Sequence, residues 1–251
     1  MPAAAQVSVE VSPLRVEVDA LPGSTTTQAV TLRNYGKAPV RVRARLTDWD
    51  LTRDGTPQFE ASVQDGPFSA TSWVRVAPPE VTIEPGAEAL VRFSLTVPKE
   101  VEAGGYRSGI LFDFGPPESD LRARASVTFR GRVATLIYVH VGTVPGAAEL
   151  MDVSVREVAA ETHVVALVRN SSRRSLRTRG TLVLLQGEGQ PVRQLTVPDV
   201  PVLPESEREV SIPLSGRDAS PLPTGDYKVE LKIDLGLPAL LVGETQLKVS
   251  H

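Results

Sequence analysis

The chain has 251 residues, 41% of them hydrophobic, with 21 prolines, 19 glycines and no cysteine, and its 27 basic and 30 acidic residues give a formal net charge of -3. That length suffices for two globular units of roughly 100–150 residues, each burying its own core. The missing cysteines exclude disulfides, thiolate nucleophiles, iron–sulfur clusters and thiolate zinc sites; the charge balance argues against nucleic acid as a partner, and no run approaches the ~18 consecutive apolar residues of a membrane span.

The first residues, Met1-Pro2-Ala3-Ala4-Ala5-Gln6, have neither the basic nor the apolar region of a secretory leader, and their small side chains are compatible with a chain from which a leader has been removed. From there on apolar and polar residues alternate at period two, with proline or glycine about every 8 to 14 residues, the pattern of half-buried antiparallel strands. Gln28 to Asn34, Val40 to Leu46 and Leu90 to Val97 are predicted strands, the last with Val91, Phe93, Leu95 and Val97 on one face. Asp48-Trp49-Asp50, a turn at Arg53-Asp54-Gly55-Thr56, and Trp73 fall between the second and third of these, and both tryptophans are expected in the core of the first domain. Gly104-Gly105-Tyr106 opens a further strand that closes on Asp113-Phe114-Gly115.

Leu121 to Val141 is the longest extended segment. At about 3.3 Å per residue it would run some 65–70 Å, so it leaves its sheet, lies along an edge, or is divided by a bulge at Gly131. Gly142 to Ala148 reads as a short linker, which sets the domains at 1–143 and 144–251. The second half repeats the strand habit in Val164 to Asn170, Leu176 to Leu185, Glu209 to Leu214 and Tyr227 to Leu235. No dozen-residue window carries a helical apolar stripe, so the expectation is an all-β protein.

The two halves also share landmarks. Arg33-Asn34 and Arg169-Asn170 each end a strand; Pro85 and Pro204 each precede one; Tyr106 and Tyr227 each open one that closes on Asp-x-Gly, nine residues from tyrosine to glycine in both. Two copies of one β-sandwich fit this better than a single barrel. Tyr106 and Tyr227 are expected to be corner tyrosines, whose hydroxyl bonds back to an upstream carbonyl at the crossover between sheets. Asp113 and Asp234 recur at equivalent positions, which argues for a structural task at the strand end.

Catalytic chemistry is hard to find. His140, His163 and His251 lie on different elements without metal-ligand spacing. There is no nucleophile elbow, P-loop or dinucleotide fingerprint. The expectation is a non-enzymatic protein with no cofactor and no metal. Asn170-Ser171-Ser172 matches a glycosylation sequon, a three-residue pattern that often occurs by chance.

With catalysis set aside, edges and clefts become the candidates for partner binding. The segment from Leu121 presents Leu121, Ala123, Ala125, Val127 and Phe129 opposite Arg122, Arg124, Ser126, Thr128 and Arg130, an edge able to accept another chain by strand addition. An N-terminal strand with an arginine (Val11-Ser12-Pro13-Leu14-Arg15-Val16-Glu17-Val18) precedes two tandem sandwiches, and Gly131-Arg132-Val133 stands ahead of Leu136-Ile137-Tyr138 in the last strand of the first. In this layout the chain resembles the periplasmic pilus chaperones of the chaperone–usher pathway. The resemblance implies two tandem immunoglobulin-like β-sandwich domains and a periplasmic or extracellular place. It also implies a protein partner, a secreted or pilus-type subunit whose extended segment is bound by strand addition. Arg15 and Arg132 match the two basic residues that anchor a subunit's carboxylate in that family, and Leu121, Val127 and Phe129 match the donated side chains. A guanidinium pair suits that task because it recognises a carboxylate bidentately and stays charged. The alternative is a structural or adhesive surface module of tandem immunoglobulin-like domains.

Overall fold

The computed structural model describes residues 8–59, 66–115, 131–159, 161–187, 189–215 and 221–250. It forms two compact units, Met1–Asp50 with Gln58–Thr143, and Leu51–Pro57 with Val144–His251. Both are built from strands, and a three-residue 3₁₀ turn at Thr71–Trp73 is the one helical element among the described residues.

The first unit holds β1 (Val9–Ser12), β2 (Arg15–Ala20), β3 (Thr25–Asn34), β4 (Val40–Thr47), all but one residue each of β5 (Trp49–Leu51) and β6 (Pro57–Phe59), β7 (Val74–Ala77), β8 (Glu80–Ile83), β9 (Glu88–Thr96), β10 (Gly104–Gly115) and β11 (Gly131–Val141). One sheet has the order β1-β3-β9-β7 and the other β2-β11-β10-β4-β8, while β5 and β6 pair separately. Two of the places where the chain passes from one sheet to the other, between β1 and β2 at Ser12-Pro13 and between β7 and β8 at Ala77-Pro78, carry a cis peptide bond. Proline supplies no backbone donor, so a ladder ends naturally there.

The predicted stripe of Val91, Phe93, Leu95 and Val97 is buried between the sheets against Val30, Leu32, Ile110, Phe112, Ile137 and Val139. Each such side chain contributes about 1.5–3 kcal/mol on burial, and this packing holds a sandwich that has no inter-sheet disulfide. The tryptophans divide. Trp73 packs on Tyr106 with ring centroids 4.6 Å apart, at the edge of the core. Trp49 is buried but lies on the outer side of the second sheet. A β-carbon on Gly109 would meet its ring at 3.3 Å, it meets Tyr138 edge-on at 5.2 Å, and its indole N–H donates to the Ser108 carbonyl at 2.8 Å. Both tryptophans belong to the first unit and Trp49 is buried as expected, but it lies apart from the main cluster between the sheets: β10 alternates, sending Ile110 and Phe112 into that cluster and Gly109 and Leu111 to the outer face that Trp49 covers.

The second unit holds β12 (Ala148–Val158), β13 (Glu161–Asn170), β14 (Leu176–Arg177), β15 (Arg179–Gln186), β16 (Gln190–Thr196), β17 (Pro201–Val202), β18 (Ser206–Pro213), β19 (Gly225–Asp234) and β20 (Leu241–Val249). Its sheets are β12-β13-β18 and β16-β15-β19-β20, with a two-stranded bridge of β14 and β17. Val164, Val168, Leu182, Leu184, Val210, Ile212, Val229, Leu231 and Ile233 fill its core. At Gly180 the backbone has φ +143°, and a β-carbon would lie 2.0 Å from the Lys232 carbonyl oxygen, so only glycine allows β15 to approach β19 there.

The shared landmarks have a physical content. Asn34 is buried at the end of β3; its amide nitrogen donates to the carbonyls of Ala38 at 2.8 Å and Ile83 at 3.0 Å, and its oxygen accepts from the Gly36 amide at 2.8 Å. Asn170 does the same at the end of β13, donating to Arg174, Val202 and Leu203 at 2.7, 3.1 and 2.9 Å and accepting from the Ser172 amide and hydroxyl at 3.0 and 2.7 Å. Each asparagine clamps its own turn to the segment that leads into the neighbouring strand, β9 for Asn34 and β18 for Asn170. The two tyrosines are corners as expected: Tyr106 donates to the Glu102 carbonyl at 2.8 Å and Tyr227 to the Pro223 carbonyl at 2.7 Å, both four residues upstream. The aspartates part company. Asp234 accepts the Gly236 amide at 2.8 Å and shapes a turn, whereas Asp113 faces arginines on neighbouring strands.

Candidate binding edge

Strand β11 ends the first unit and is flanked unequally. On one side β10 pairs with it antiparallel along its whole length, from Phe114 opposite Gly131 to Gly104 opposite Val141. On the other side β2 runs parallel to it only from Leu136, opposite Arg15, to Val141. The Leu136 amide donates to the Leu14 carbonyl at 2.8 Å and the Thr135 hydroxyl to the Pro13 carbonyl at 2.9 Å, which marks where β2 closes the edge. Among the described residues no strand pairs with 131–134 on that side. The cause is the sheet change at Ser12-Pro13: the residues that would continue β2 alongside β11 have gone to the other sheet as β1, paired with β3.

Arg15 and Arg132 both point outward from this sheet, since their neighbours Val16 and Val133 pack on the core. Arg132 lies four positions before Leu136, the partner of Arg15, so the two are separated along the strand direction by about 13 Å at ~3.3 Å per residue. Arg15 pairs with Glu17 at 3.1 Å on the surface. Arg132 Nε lies 2.6 Å from Asp113 Oδ1, and the other Asp113 oxygen is taken by Arg45 through Nε at 2.7 Å and Nη2 at 2.6 Å. The two expected anchors therefore share a sheet face, but each is held by a different carboxylate. Leu121, Val127 and Phe129 lie outside the described residues.

The face beside Arg132 carries a charge array that the sequence did not reveal. The strand V-R-V-R-A-R-L turns Val40, Val42 and Ala44 inward and Arg41, Arg43 and Arg45 outward. Register then sets Arg43 opposite Glu80 of β8 and also opposite Asp113 of β10, and Asp113 opposite Arg132 of β11. Glu80 accepts from Arg41 Nε at 2.6 Å and from Arg43 Nε at 3.1 Å. Burial pushes the Asp113 carboxyl up, but the guanidinium bonds from Arg132 and Arg45 outweigh it and hold the group below its ordinary range. The hydrogen bond from Arg41, reinforced by Arg43, holds Glu80 below its range likewise. Both are ionised at neutral pH, Glu80 between Arg41 and Arg43 and Asp113 between Arg45 and Arg132.

His140 and His163, the histidines among the described residues, lie on different units. His140 lies on β11 and His163 on β13, where its Nδ1 is 2.6 Å from the Ser211 hydroxyl; His251 is outside the described residues. Among the described residues no group of three or more His, Asp or Glu side chains is placed to hold a metal, and no helix is long and apolar enough to cross a membrane. The sequon at Asn170 is not an accessible acceptor, because its amide nitrogen is buried and donates to three carbonyls.

The Fn3-like domain family matches residues 16–126. No curated protein matches the sequence. Among solved structures the chain is similar to the YadV chaperone, at 14% identity and a TM-score of 0.48 over 95% of this chain and 99% of that one. It is similar to the class 5 fimbriae chaperone CfaA at 12% identity and a TM-score of 0.47, over 97% of this chain and 100% of that one. A third is the structure of the Salmonella enterica SafA pilin in complex with the SafB chaperone, at 14% identity and a TM-score of 0.48, over 98% of this chain and 99% of that one.

Proposed function

We propose that this is a non-enzymatic chaperone-like protein of the bacterial envelope, periplasmic or extracellular, which binds an extended segment of a secreted or pilus-type subunit by β-strand addition. The observation that carries the reading is the half-open edge of β11, paired by β10 throughout but by β2 only from Leu136. An unpaired row of backbone donors and acceptors is a template for another chain, with backbone bonds supplying affinity and alternate side chains specificity. The open stretch has Arg132 near its start and Arg15 where β2 closes it, two cations for the carboxylates of an incoming segment. Leu121, Val127 and Phe129 would extend the same edge as donated apolar side chains.

Purification of the tagged protein from its native envelope fraction tests this directly. The wild type is expected to recover an extended secreted subunit, and Arg15→Ala/Arg132→Ala to lose it by about 10- to 100-fold, the worth of a charge-assisted hydrogen bond at about 1.5–3 kcal/mol. Recovery of no such subunit, or undiminished recovery by the double variant, refutes the reading. A second reading, a structural or adhesive module, draws on the Fn3-like match over residues 16–126; it predicts that any partner is indifferent to Arg15 and Arg132.

A further inference from the structure

Glu80, Arg43, Asp113 and Arg132 are directly opposed in turn across β8, β4, β10 and β11. They form a single row on the outer face whose sign alternates minus, plus, minus, plus. Opposed side chains on one face have β-carbons about 4.5–5.5 Å apart; opposite charges there stabilise a strand pair and like charges oppose it. Arg43 and Asp113 each have an opposite charge on both sides. Among the described residues Arg132 has one on the β10 side only, and its other side faces the stretch of edge that β2 leaves open. A strand added to that stretch sets its own residue next in the row.

We propose that the segment received by β11 carries an acidic side chain, Asp or Glu, at the position opposite Arg132, as the fifth member of this row. The inference rests on the strand-addition reading and adds the chemistry of the bound segment. It also separates the two expected anchors: Arg15 stands where the open edge ends, the place for a chain terminus, while Arg132 stands within the edge and meets a side chain. Arg45 flanks the row on β4 and shares Asp113 with Arg132, so a second cation opposite Arg132 is disfavoured and an anion favoured.

The test uses the full chain and synthetic nine-residue peptides that alternate valine and serine, are amidated at the C-terminus to remove the terminal carboxylate, and carry glutamate, glutamine or lysine at successive serine positions. Binding is measured at low and at moderate salt. At one position glutamate is expected to bind about two- to fivefold more tightly than glutamine, with the difference shrinking as salt is added. Arg132→Gln erases the preference, Arg132→Glu transfers it to a lysine peptide, and Arg15→Gln leaves it in place. Equal binding of glutamate and glutamine at every position, or a preference that survives Arg132→Gln, overturns the proposal and leaves strand addition standing. If none of the peptides binds, strand addition itself fails and the proposal falls with it.

Discussion

Replacing Asn170 tests the account of how these sandwiches are held. The side chain makes five hydrogen bonds inside the second unit, three donated to the carbonyls of Arg174, Val202 and Leu203 and two accepted from Ser172. Asn170→Ala removes all five. Leu203 keeps one donor, the Ser206 hydroxyl at 2.9 Å, but the loss still leaves one or two buried groups without partners. At about 1–3 kcal/mol each, the expected cost is about 2–4 kcal/mol. Asn34→Ala breaks three bonds rather than five and is expected to cost less, about 1–3 kcal/mol. The decisive variant is Asn170→Asp, which keeps the shape and the acceptor but turns an oxygen toward three carbonyl oxygens. It should be at least as destabilising as alanine. Urea unfolding followed by far-ultraviolet circular dichroism reads this as a midpoint lowered by about 1 M or more, given slopes of about 1–3 kcal/mol/M. If Asn170→Asp unfolds at the wild-type midpoint, the clamp as described is wrong.

Removing only the corner hydroxyls, as in Tyr106→Phe and Tyr227→Phe, keeps the rings in place and is expected to cost about 0.5–1.5 kcal/mol each, measured by the same unfolding curves. Asp113→Asn addresses the charge row. The Asp113 carboxyl is held below its ordinary value of 3.8 in the folded protein, so its stabilisation is full above that value and is lost as pH falls through the lowered one. The variant should therefore be less stable than the wild type at neutral pH, by up to about 1 kcal/mol for a partly exposed group. The two stability curves should converge below pH 3.8, and the gap should narrow in high salt; a gap that persists in acid would mean the arginine bonds are not its source.

Much of the fold was legible because its signals are local. Alternation of Val91, Phe93, Leu95 and Val97 dictates a buried face whatever the neighbouring strand is. Recurrence of Asn34 as Asn170 and Tyr106 as Tyr227 is visible in the sequence itself, because each serves a turn or corner close by in the chain, although the asparagines also reach carbonyls more than thirty residues away. Trp49 was less legible. Its burial follows from apolar character, but which side of the sheet it covers depends on the pleat of β10, where Gly109 faces outward and leaves room for an indole.

The site depends on longer-range facts, and that is why less of it could be read. Arg-x-Arg-x-Arg in β4 announces a polar face, yet period two says nothing about which strand lies beside it. Glu80 meets Arg43 only because β8 changes sheets after Ala77-Pro78, and Arg132 meets Asp113 only through the antiparallel register of β10 and β11. Asp113 illustrates the limit best. Its match with Asp234 in the repeat suggested a shared turn, and only Asp234 makes one, because Arg45 and Arg132 face Asp113 across the sheet. Arg15 and Arg132 could be nominated one by one as cations on strands. That one marks the end of an open edge and the other its interior depends on where β2 stops, and β2 stops because Pro13 sends the preceding residues to the opposite sheet. The feature most relevant to binding is thus set by a change of sheet more than a hundred residues away from the strand it leaves open.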